Sequence, residues 1–572
     1  MSPCSTLYRR VLAIGAVTIA AACSGNSTAG LPGGVVFGES AAVATSPTPA
    51  WYDLGRAKSS TIVKIALVLN YRNPEKLDQL VEQQSDPSSN RYRRFLTPEQ
   101  FATQFGPTPV DYARAVAELR RNGFRIDRVY ANRTVIDASA PAPVAEQLFS
   151  TEIHLAKFND GSVRYFNVRP GTTPSGLQST VLSVVGLDSV HSLEPQYILQ
   201  TGSRHQRSQG VRKSKSPLFG PDGGYGPLVF RASYGFPKGI DGKGRAAAVV
   251  EDADFLDSDL EGYLYYFKIP RTGPPTKRVF IDGGPPRGIS GDDSIEATLD
   301  VETVVSIDPG VALYVYEAPT YADLTDFTDM YNRIVNDNKV DTVSTSYAEC
   351  ETAFLPNFPK AADAIFEQGN ALGITFEAAT GDTGTAAYGC SSGVNVNTPA
   401  DTPHNDAIGG TYEVVNHTTG REISEVGWDD SSGATGGGVS KLFETPTFQR
   451  GVKNVIASGR NIPDLAFDAS LYSGASFYME GAFLGPIGGT SLATPIFGAG
   501  LAAIDEANNS RQGYFNPNLY QTWESHGYSS GTTVYFRDII KGRIPPYRAK
   551  VGYDQMSGIG AMIIGNFARI LR

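Results

Sequence analysis

A short turn near the end of the chain carries a serine that could act as a nucleophile. Gly489 and Thr490 precede Ser491, and a run of small and apolar residues follows it. This pattern predicts a hydroxyl at the start of a buried helix, where backbone N–H groups and the helix dipole stabilise developing negative charge. An isolated match of this kind is also typical of a plain helix cap, so Ser491 needs support from other segments.

A serine nucleophile needs a base, and histidine is the usual one. The six histidines are His154, His191, His205, His404, His417 and His526. The first three lie in the early part of the chain, and none of the others lies in a segment typical of a catalytic helix or strand end. A Ser-His-Asp enzyme is therefore disfavoured, and carboxylates become the candidate bases.

Three carboxylates stand out by their spacing and surroundings. Glu296 and Asp300 lie one helical turn apart, where repulsion and burial favour a shared proton and let one of them act as a base. A solvated acidic helix face is the alternative. Asp382 follows an apolar strand in a glycine-flanked turn; while protonated it could donate a hydrogen bond to an oxyanion, or it could cap the local backbone.

The elements that position these residues divide the chain into two folded parts. Over residues 57–195, mixed strand-like and helical segments predict a compact α+β domain. Over residues 223–572, strand-like runs alternate with helical stretches, which predicts an α/β domain with a parallel sheet. The segment 196–222 between them is polar and basic, so we expect an exposed, cleavable linker or a plain tether.

The start of the chain predicts export. Two arginines precede an apolar run over 11–22, too short to span a membrane, which is typical of a signal peptide over 1–23 followed by a linker over 24–56. Cys23 follows three alanines and resembles the lipidated cysteine of bacterial lipoproteins; ordinary cleavage after small residues is the alternative. We therefore expect an extracytoplasmic protein, secreted or lipid-anchored to the bacterial cell envelope.

Composition and cysteine content limit the remaining classes. The chain has 572 residues, enough for several domains, with 41% hydrophobic and 19% charged residues, as in globular proteins. A formal net charge of -10 argues against nucleic acid as a partner. Beyond Cys23, the sequence contains Cys350 and Cys390, which predict one disulfide in an oxidising compartment. A catalytic cysteine is disfavoured because neither has a histidine close by in sequence.

Taken in chain order, these segments resemble the sedolisin family of serine-carboxyl peptidases. The resemblance covers nearly the whole chain, and so many ordered matches are highly specific. The matching segments in the later part are 296–300, 381–384, 409–411, 436–440, 463–464 and 489–495. In the earlier part, 85–92 and 95–101 resemble the family's activation domain.

The resemblance implies a subtilisin-like parallel-sheet domain behind an α+β prodomain, and it implies a role for each candidate. Ser491 would be the nucleophile and Glu296 the general base and acid. Asp300 would orient and tune Glu296, and Asp382 would donate to the oxyanion. A disulfide between the two later cysteines would brace the wall beside Asp382.

The resemblance also implies one structural Ca²⁺ near the C-terminus. Its ligands would come from Asp538, Ile539, Lys550, Gly552 and Asp554. Carboxylate and backbone carbonyl oxygens suit this hard cation. Lys550 stands where the family has a glycine, which matters little if only its carbonyl oxygen is used.

We therefore expect an acid-active serine endopeptidase, made as an exported, self-inhibited precursor and acting as a monomer on protein or peptide substrates. Its prodomain would cover the cleft as an inhibitor until the linker is cut. An ionised Glu296 and a protonated Asp382 coexist only in acid, so we expect an optimum at roughly pH 3 to 5. The alternative is a catalytically inactive, surface-tethered binding protein on the same scaffold, which would be expected to have lost a catalytic residue.

Overall fold

A computed structural model describes residues 51–571 of the protein, apart from 160, 201–216, 289–293, 354–355 and 391–392. The predicted signal peptide with Cys23, and most of the predicted basic linker, lie outside the described residues. Within the described ranges, no helix is both long enough and apolar enough to cross a membrane.

The N-terminal part of the described chain consists of two antiparallel sheets and four helices. Its elements are β1 (Trp51–Arg56), β2 (Ile62–Leu69), α1 (Pro74–Ser85), α2 (Pro98–Gln104), α3 (Pro109–Arg121), β3 (Arg125–Val129), β4 (Val135–Pro141), α4 (Ala142–Phe149), β5 (Ile153–Phe158), β6 (Val163–Asn167) and β7 (Val181–Val185). The larger sheet has the order β3-β4-β2-β7, and the smaller has the order β1-β5-β6. The core contains the buried side chains of Val63, Ile65 and Leu67, with Leu119 of α3 packed in the same cluster. The predicted α+β architecture is confirmed.

Two short strands, β8 (Glu194–Pro195) and β9 (Ile198–Leu199), follow the N-terminal part. The next elements are α5 (Pro227–Ser233), β10 (Ala246–Glu251), α6 (Asp257–Phe267), β11 (Lys277–Phe280), α7 (Ile295–Ile307), β12 (Ala312–Glu317), α8 (Leu324–Asp337), β13 (Thr342–Thr345), β14 (Tyr347–Cys350), α9 (Asn357–Ala371), β15 (Thr375–Ala379), β16 (Asn397–Thr398), β17 (Asp406–Val415) and β18 (Glu422–Gly427).

The last third of the chain contains one long buried helix among many short strands. Its elements are β19 (Asp429–Asp430), β20 (Gly433–Ala434), β21 (Gly438–Val439), a 3-10 turn (Thr447–Gln449), β22 (Asn461–Ile462), β23 (Leu465–Asp468), β24 (Ala475–Met479), β25 (Ala482–Gly488), α10 (Thr490–Asn508), α11 (Phe515–His526), β26 (Ser529–Ser530), β27 (Thr533–Val534), β28 (Phe536–Arg537), β29 (Arg543–Ile544), β30 (Tyr547–Arg548), β31 (Ala561–Met562) and α12 (Ile564–Ile570).

A mostly parallel sheet forms the frame of this C-terminal part. The strand order is β11-β12-β10-β13-β15-β17-β18, with β23 also paired to β17. The pairs from β11 to β17 are parallel, and β18 runs antiparallel at the edge. β10 is a run of alanine and valine that is buried along nearly its whole length, as expected for a strand covered by helices on both faces. The predicted α/β fold with a parallel sheet is confirmed.

Two buried helices, α7 and α10, pack against each other and the sheet. Every residue of α7 is buried, which rules out a solvated acidic face for the helix that carries Glu296 and Asp300. α10 is buried from Thr490 to Asp505 and begins directly after β25. This contact brings the start of α10 to the first turn of α7.

Candidate active site

Ser491 lies in the first turn of α10 and faces the base predicted for it. Its Oγ lies 3.0 Å from Glu296 Oε2 and 3.0 Å from the carbonyl oxygen of Ser346, and it can donate its single proton to either. Ser491 and Glu296 are both almost completely buried. The structure therefore brings together a hydroxyl and a carboxylate that lie 195 positions apart in the sequence.

A row of buried carboxyl groups continues behind Glu296. Asp300 accepts hydrogen bonds from Ser346 Oγ at 2.9 and 2.8 Å. Burial raises the pKa of Asp300 to about 8, although bonds from Ser346 and neighbouring carboxyls oppose this. Burial, together with the charge of Asp300, raises the pKa of Glu296 well above its usual range, and Glu251 beyond them is raised for the same reasons. The three groups can hold and exchange protons in a site sealed from water.

Asp382 lies just after the end of β15 and faces the start of α10. Its Oδ1 accepts hydrogen bonds from the backbone N–H of Thr490 at 2.7 Å and from Thr490 Oγ1 at 2.8 Å. Its Oδ2 is buried and has no hydrogen-bond partner among the described residues. Burial raises the pKa of Asp382 to about 7, against the opposing effect of the two Thr490 bonds. In acid, Oδ2 is the oxygen left to carry a proton and donate it.

A segment from the end of the N-terminal part passes over these residues. β8 pairs antiparallel with β14, and β9 pairs antiparallel with β25, so the segment is held on both sides of the site. Between the two strands, Gln196 N–H donates to the Ser346 carbonyl at 3.0 Å, and the Gln196 carbonyl accepts from Ser491 N–H at 2.9 Å. Residues 196–199, at the start of the predicted linker, therefore occupy the cleft like an extended peptide.

Gly489 makes room for this carbonyl group. Its φ is 104°, and a Cβ placed on it would lie 2.3 Å from the Gln196 carbonyl oxygen and 2.5 Å from Asp382 Oδ2. The carbonyl oxygen and the free carboxyl oxygen thus meet over a residue without a side chain, with Ser491 N–H on the same oxygen. Two donors converging on a carbonyl oxygen are what an oxyanion site requires.

The predicted metal ligands meet in one loop near the C-terminus. Asp554 accepts from Lys550 N–H at 2.8 Å, and Asp538 accepts from Gly552 N–H at 3.3 and 3.2 Å. Asp554 is buried and Asp538 half-buried, and Ile539 directly follows Asp538 in the chain. Two carboxylates beside a turn rich in backbone oxygens fit a hard divalent cation.

The predicted disulfide is present between Cys350 and Cys390. Cys350 ends β14, the strand that pairs with β8, and its N–H donates to the Tyr388 carbonyl at 2.8 Å. The bridge thus ties the loop after Asp382 to one wall of the cleft.

Sequence reasoning missed three residues that complete the site. Ser346 contacts both Asp300 and Ser491, Thr490 holds Asp382, and Gln196 lies on the nucleophile. Ser346 follows a predicted strand, and the carboxyl ends of parallel strands are where such sites form, so its position was a usable signal.

Comparison with known proteins agrees with this geometry. A family model described as "Pro-kumamolisin, activation domain" matches residues 49–190. Kumamolisin from Bacillus sp. (strain MN-32) is 29% identical over 540 residues, which cover 90% of this chain and 92% of that relative. Sedolisin from Pseudomonas sp. (strain 101) is 29% identical over 533 residues, which cover 89% of this chain and 87% of that relative.

A solved structure extends the comparison to the fold. It is Pseudomonas sedolisin, described as a serine-carboxyl proteinase complexed with two molecules of pseudo-iodotyrostatin. It matches with a TM-score of 0.54 at 25% identity, covering 62% of this chain and 99% of that chain. The fold is thus subtilisin-like, and the class is that of the serine-carboxyl peptidases. The chain belongs to the sedolisin family and carries that family's pro-kumamolisin activation domain.

Proposed function

We propose that this peptidase is an acid-active serine endopeptidase in which Ser491 is the nucleophile, Glu296 the general base and acid, Asp300 the residue that orients Glu296, and Asp382 the oxyanion donor. The 3.0 Å contact between Ser491 Oγ and Glu296 Oε2 carries the proposal. In this assignment all four residues are buried and connected by hydrogen bonds or close contacts. The inactive binding-protein alternative would be expected to lack one of them.

The proposed reaction proceeds in two halves. Ser491 Oγ attacks the peptide carbonyl carbon while Glu296 takes the hydroxyl proton, and Ser491 N–H and protonated Asp382 stabilise the oxyanion. Glu296 then passes the proton to the leaving nitrogen as the C–N bond breaks, which leaves an ester on Ser491. Water attacks this ester, Glu296 takes a proton from the water, and its return to Ser491 Oγ releases the acid product.

The pH range follows from two ionisations of opposite effect. Above the pKa of Asp382, which burial raises to about 7, the oxyanion loses a donor and activity falls. Below the pKa of Glu296, the base is protonated and activity falls as well. Because burial raises the pKa of Glu296, we expect the optimum toward the upper end of the range of roughly pH 3 to 5 that the ordinary glutamate value gives.

We propose further that the chain is a self-inhibited precursor. The segment from Glu194 to Leu199 fills the cleft on both sides of Ser491, so a substrate cannot enter until it leaves. The chain continues beyond the site in both directions, from Leu193 on one side and toward Gln200 on the other. A cleft that accepts such a continuous chain suits an endopeptidase better than an enzyme that trims ends.

This register assigns the first cut. The carbonyl of Gln196 lies on Ser491 N–H, so the Gln196–Tyr197 bond is the one presented to the nucleophile. We expect wild-type chain in acid to yield a mature form whose N-terminus is Tyr197, at a rate independent of protein concentration. Intact-mass analysis and N-terminal sequencing would measure this, with Ser491→Ala as control. Equal processing of the control would refute the nucleophile assignment, and a first cut elsewhere would refute the register.

Ca²⁺ is the proposed cofactor, held by Asp538 and Asp554 with backbone oxygens of Ile539, Lys550 and Gly552. Its contribution would be to fix the C-terminal loop. We expect added Ca²⁺ to raise the melting temperature of Ser491→Ala protein and to have no such effect in an added Asp538→Asn background. An equal rise in both proteins would contradict the assignment.

Export remains part of the proposal, with the signal over 1–23 and Cys23 as the candidate lipid anchor. The Cys350–Cys390 disulfide supports an oxidising, extracytoplasmic location.

A further inference from the structure

A second cluster of ionisable side chains lies far in sequence from the catalytic residues, between the activation domain and the catalytic domain. Asp78 lies on α1, Glu367 on α9, and His404 in the loop before β17. One ligand atom from each of these residues lies within 4.8 Å of the others. The chain thus presents two carboxylates and an imidazole to a common point from three separate segments.

Glu367 is the residue that calls for a partner. Its side chain is 7% exposed, and its Oε1 is buried without a hydrogen-bond partner in the part of the chain that the structure describes. Burial and the facing carboxyl of Asp78 raise the pKa of Glu367. Two carboxyl groups that face each other with no donor between them need either a proton or a cation to be stable.

His404 is held ready to bind a metal. Its Nδ1 lies 3.0 Å from Asp363 Oδ1, and its backbone N–H donates to the same oxygen at 3.2 Å. This bond fixes the ring and leaves Nε2 as the nitrogen with a free lone pair. A carboxylate behind a histidine is the usual support of a metal-binding imidazole.

The charge around His404 also favours a cation. Burial lowers the pKa of His404, but the charges of Asp363, Glu367 and Asp78 outweigh that effect and raise it to about 9. The cluster therefore attracts positive charge strongly enough to overcome desolvation.

We propose that Asp78, Glu367 and His404 form a binding site for a divalent transition metal ion such as Zn²⁺. One imidazole nitrogen with two carboxylate oxygens suits Zn²⁺, and water would complete the coordination. Asp363 acts as a positioning residue through His404.

The site would join the two domains. α1 packs on α9, where Tyr71 OH donates to the Ala364 carbonyl at 2.9 Å and Gln84 Nε2 donates to the Ala371 carbonyl at 3.2 Å. Asp78 belongs to the activation domain and the other two ligands to the catalytic domain, so bound metal stabilises the precursor and is released when the activation domain leaves. This consequence, unlike metal binding itself, rests on the proposed self-inhibition.

The test is a Zn²⁺ titration of full-length Ser491→Ala protein at pH 7 by calorimetry. We expect one binding event that is at least about tenfold weaker after Asp78→Asn is added, and about tenfold weaker with Asp363→Asn. Glu75→Gln removes an equal charge from an exposed position of the same helix and should leave the affinity unchanged. Co²⁺ bound in place of Zn²⁺ should give a visible absorption band that is lost in His404→Gln.

The outcomes separate the two proposals. Equal affinity in Asp78→Asn and the parent protein, or no binding at all, would overturn the metal site whatever the peptidase does. A confirmed site with unchanged maturation rates in wild-type chain, with and without Zn²⁺, would overturn only its role in holding the precursor together.

Discussion

Replacement of Asp382 by asparagine separates the hydrogen-bonding role of this residue from its ionisation. Asparagine keeps an oxygen for the two bonds that Thr490 donates to Oδ1 at 2.7 and 2.8 Å. Its amide nitrogen takes the place of Oδ2, the unpaired oxygen beside the Gln196 carbonyl. The variant therefore has an oxyanion donor at every pH, whereas the carboxyl group has one only while protonated.

The size of the effect follows from the pKa of Asp382, which burial raises to about 7 with the cleft filled. At pH 8 only about a tenth of the wild-type groups would carry the proton, so kcat should fall roughly tenfold between pH 6 and 8 from this cause. Asp382→Asn should lack this fall. Asp382→Ala, which removes the donor altogether, should lower kcat by about 10² to 10³ at the optimum.

The assay is kcat on a fluorogenic peptide from pH 3 to 8, with processed enzymes of all three kinds and circular dichroism at each pH to confirm folding. kcat is the quantity to follow because substrate buries Asp382 as the cleft-filling segment does. An unchanged alkaline limb in Asp382→Asn, or full activity in Asp382→Ala, would refute the oxyanion role.

Three further predictions concern the surroundings of the site. Ser346→Ala removes the hydroxyl that donates to Asp300, and kcat should fall roughly 10- to 100-fold in steady-state kinetics with an unchanged melting temperature; a loss under twofold would contradict it. Buried acids such as Glu349, whose pKa burial raises to about 8, hold protons that the unfolded chain releases, so the free energy of unfolding of Ser491→Ala protein should fall by ~1.4 kcal/mol per pKa unit for each such group between about pH 4 and pH 8; urea titrations showing a rise would contradict this sign. Replacing Cys350 and Cys390 by serine opens a loop with a sequence separation of 40 and should lower the free energy of unfolding by about 4 kcal/mol; unchanged denaturation midpoints would contradict it.

The sequence could predict those parts of the site that depend on local spacing. Glu296 and Asp300 lie four residues apart in one helix, so their common face follows from helical geometry alone. Ser491 at a helix start and Asp382 after a strand end could be recognised in the same way. The alternation of strands and helices likewise indicated the parallel sheet.

The remaining features depend on the strand order and on contacts between distant segments. Ser346 reaches Ser491 over 145 positions because β13 lies inside the sheet beside β15, an order that local periodicity does not contain. The cleft register of Gln196 depends on two short strands pairing with β14 and β25, and two-residue strands leave no periodic signal. The sharing of protons among buried acids depends on burial, which only the packed structure provides.

The most direct test of the central claim is hydrolysis of denatured protein by purified full-length chain from pH 2 to 8, beside Ser491→Ala and Glu296→Gln. We predict activity that is confined to acid, develops with loss of the first ~200 residues, and is lost by at least about 10³-fold in both variants. Activity that peaks at neutral pH or above, or that persists in either variant, would contradict the proposed serine-carboxyl mechanism.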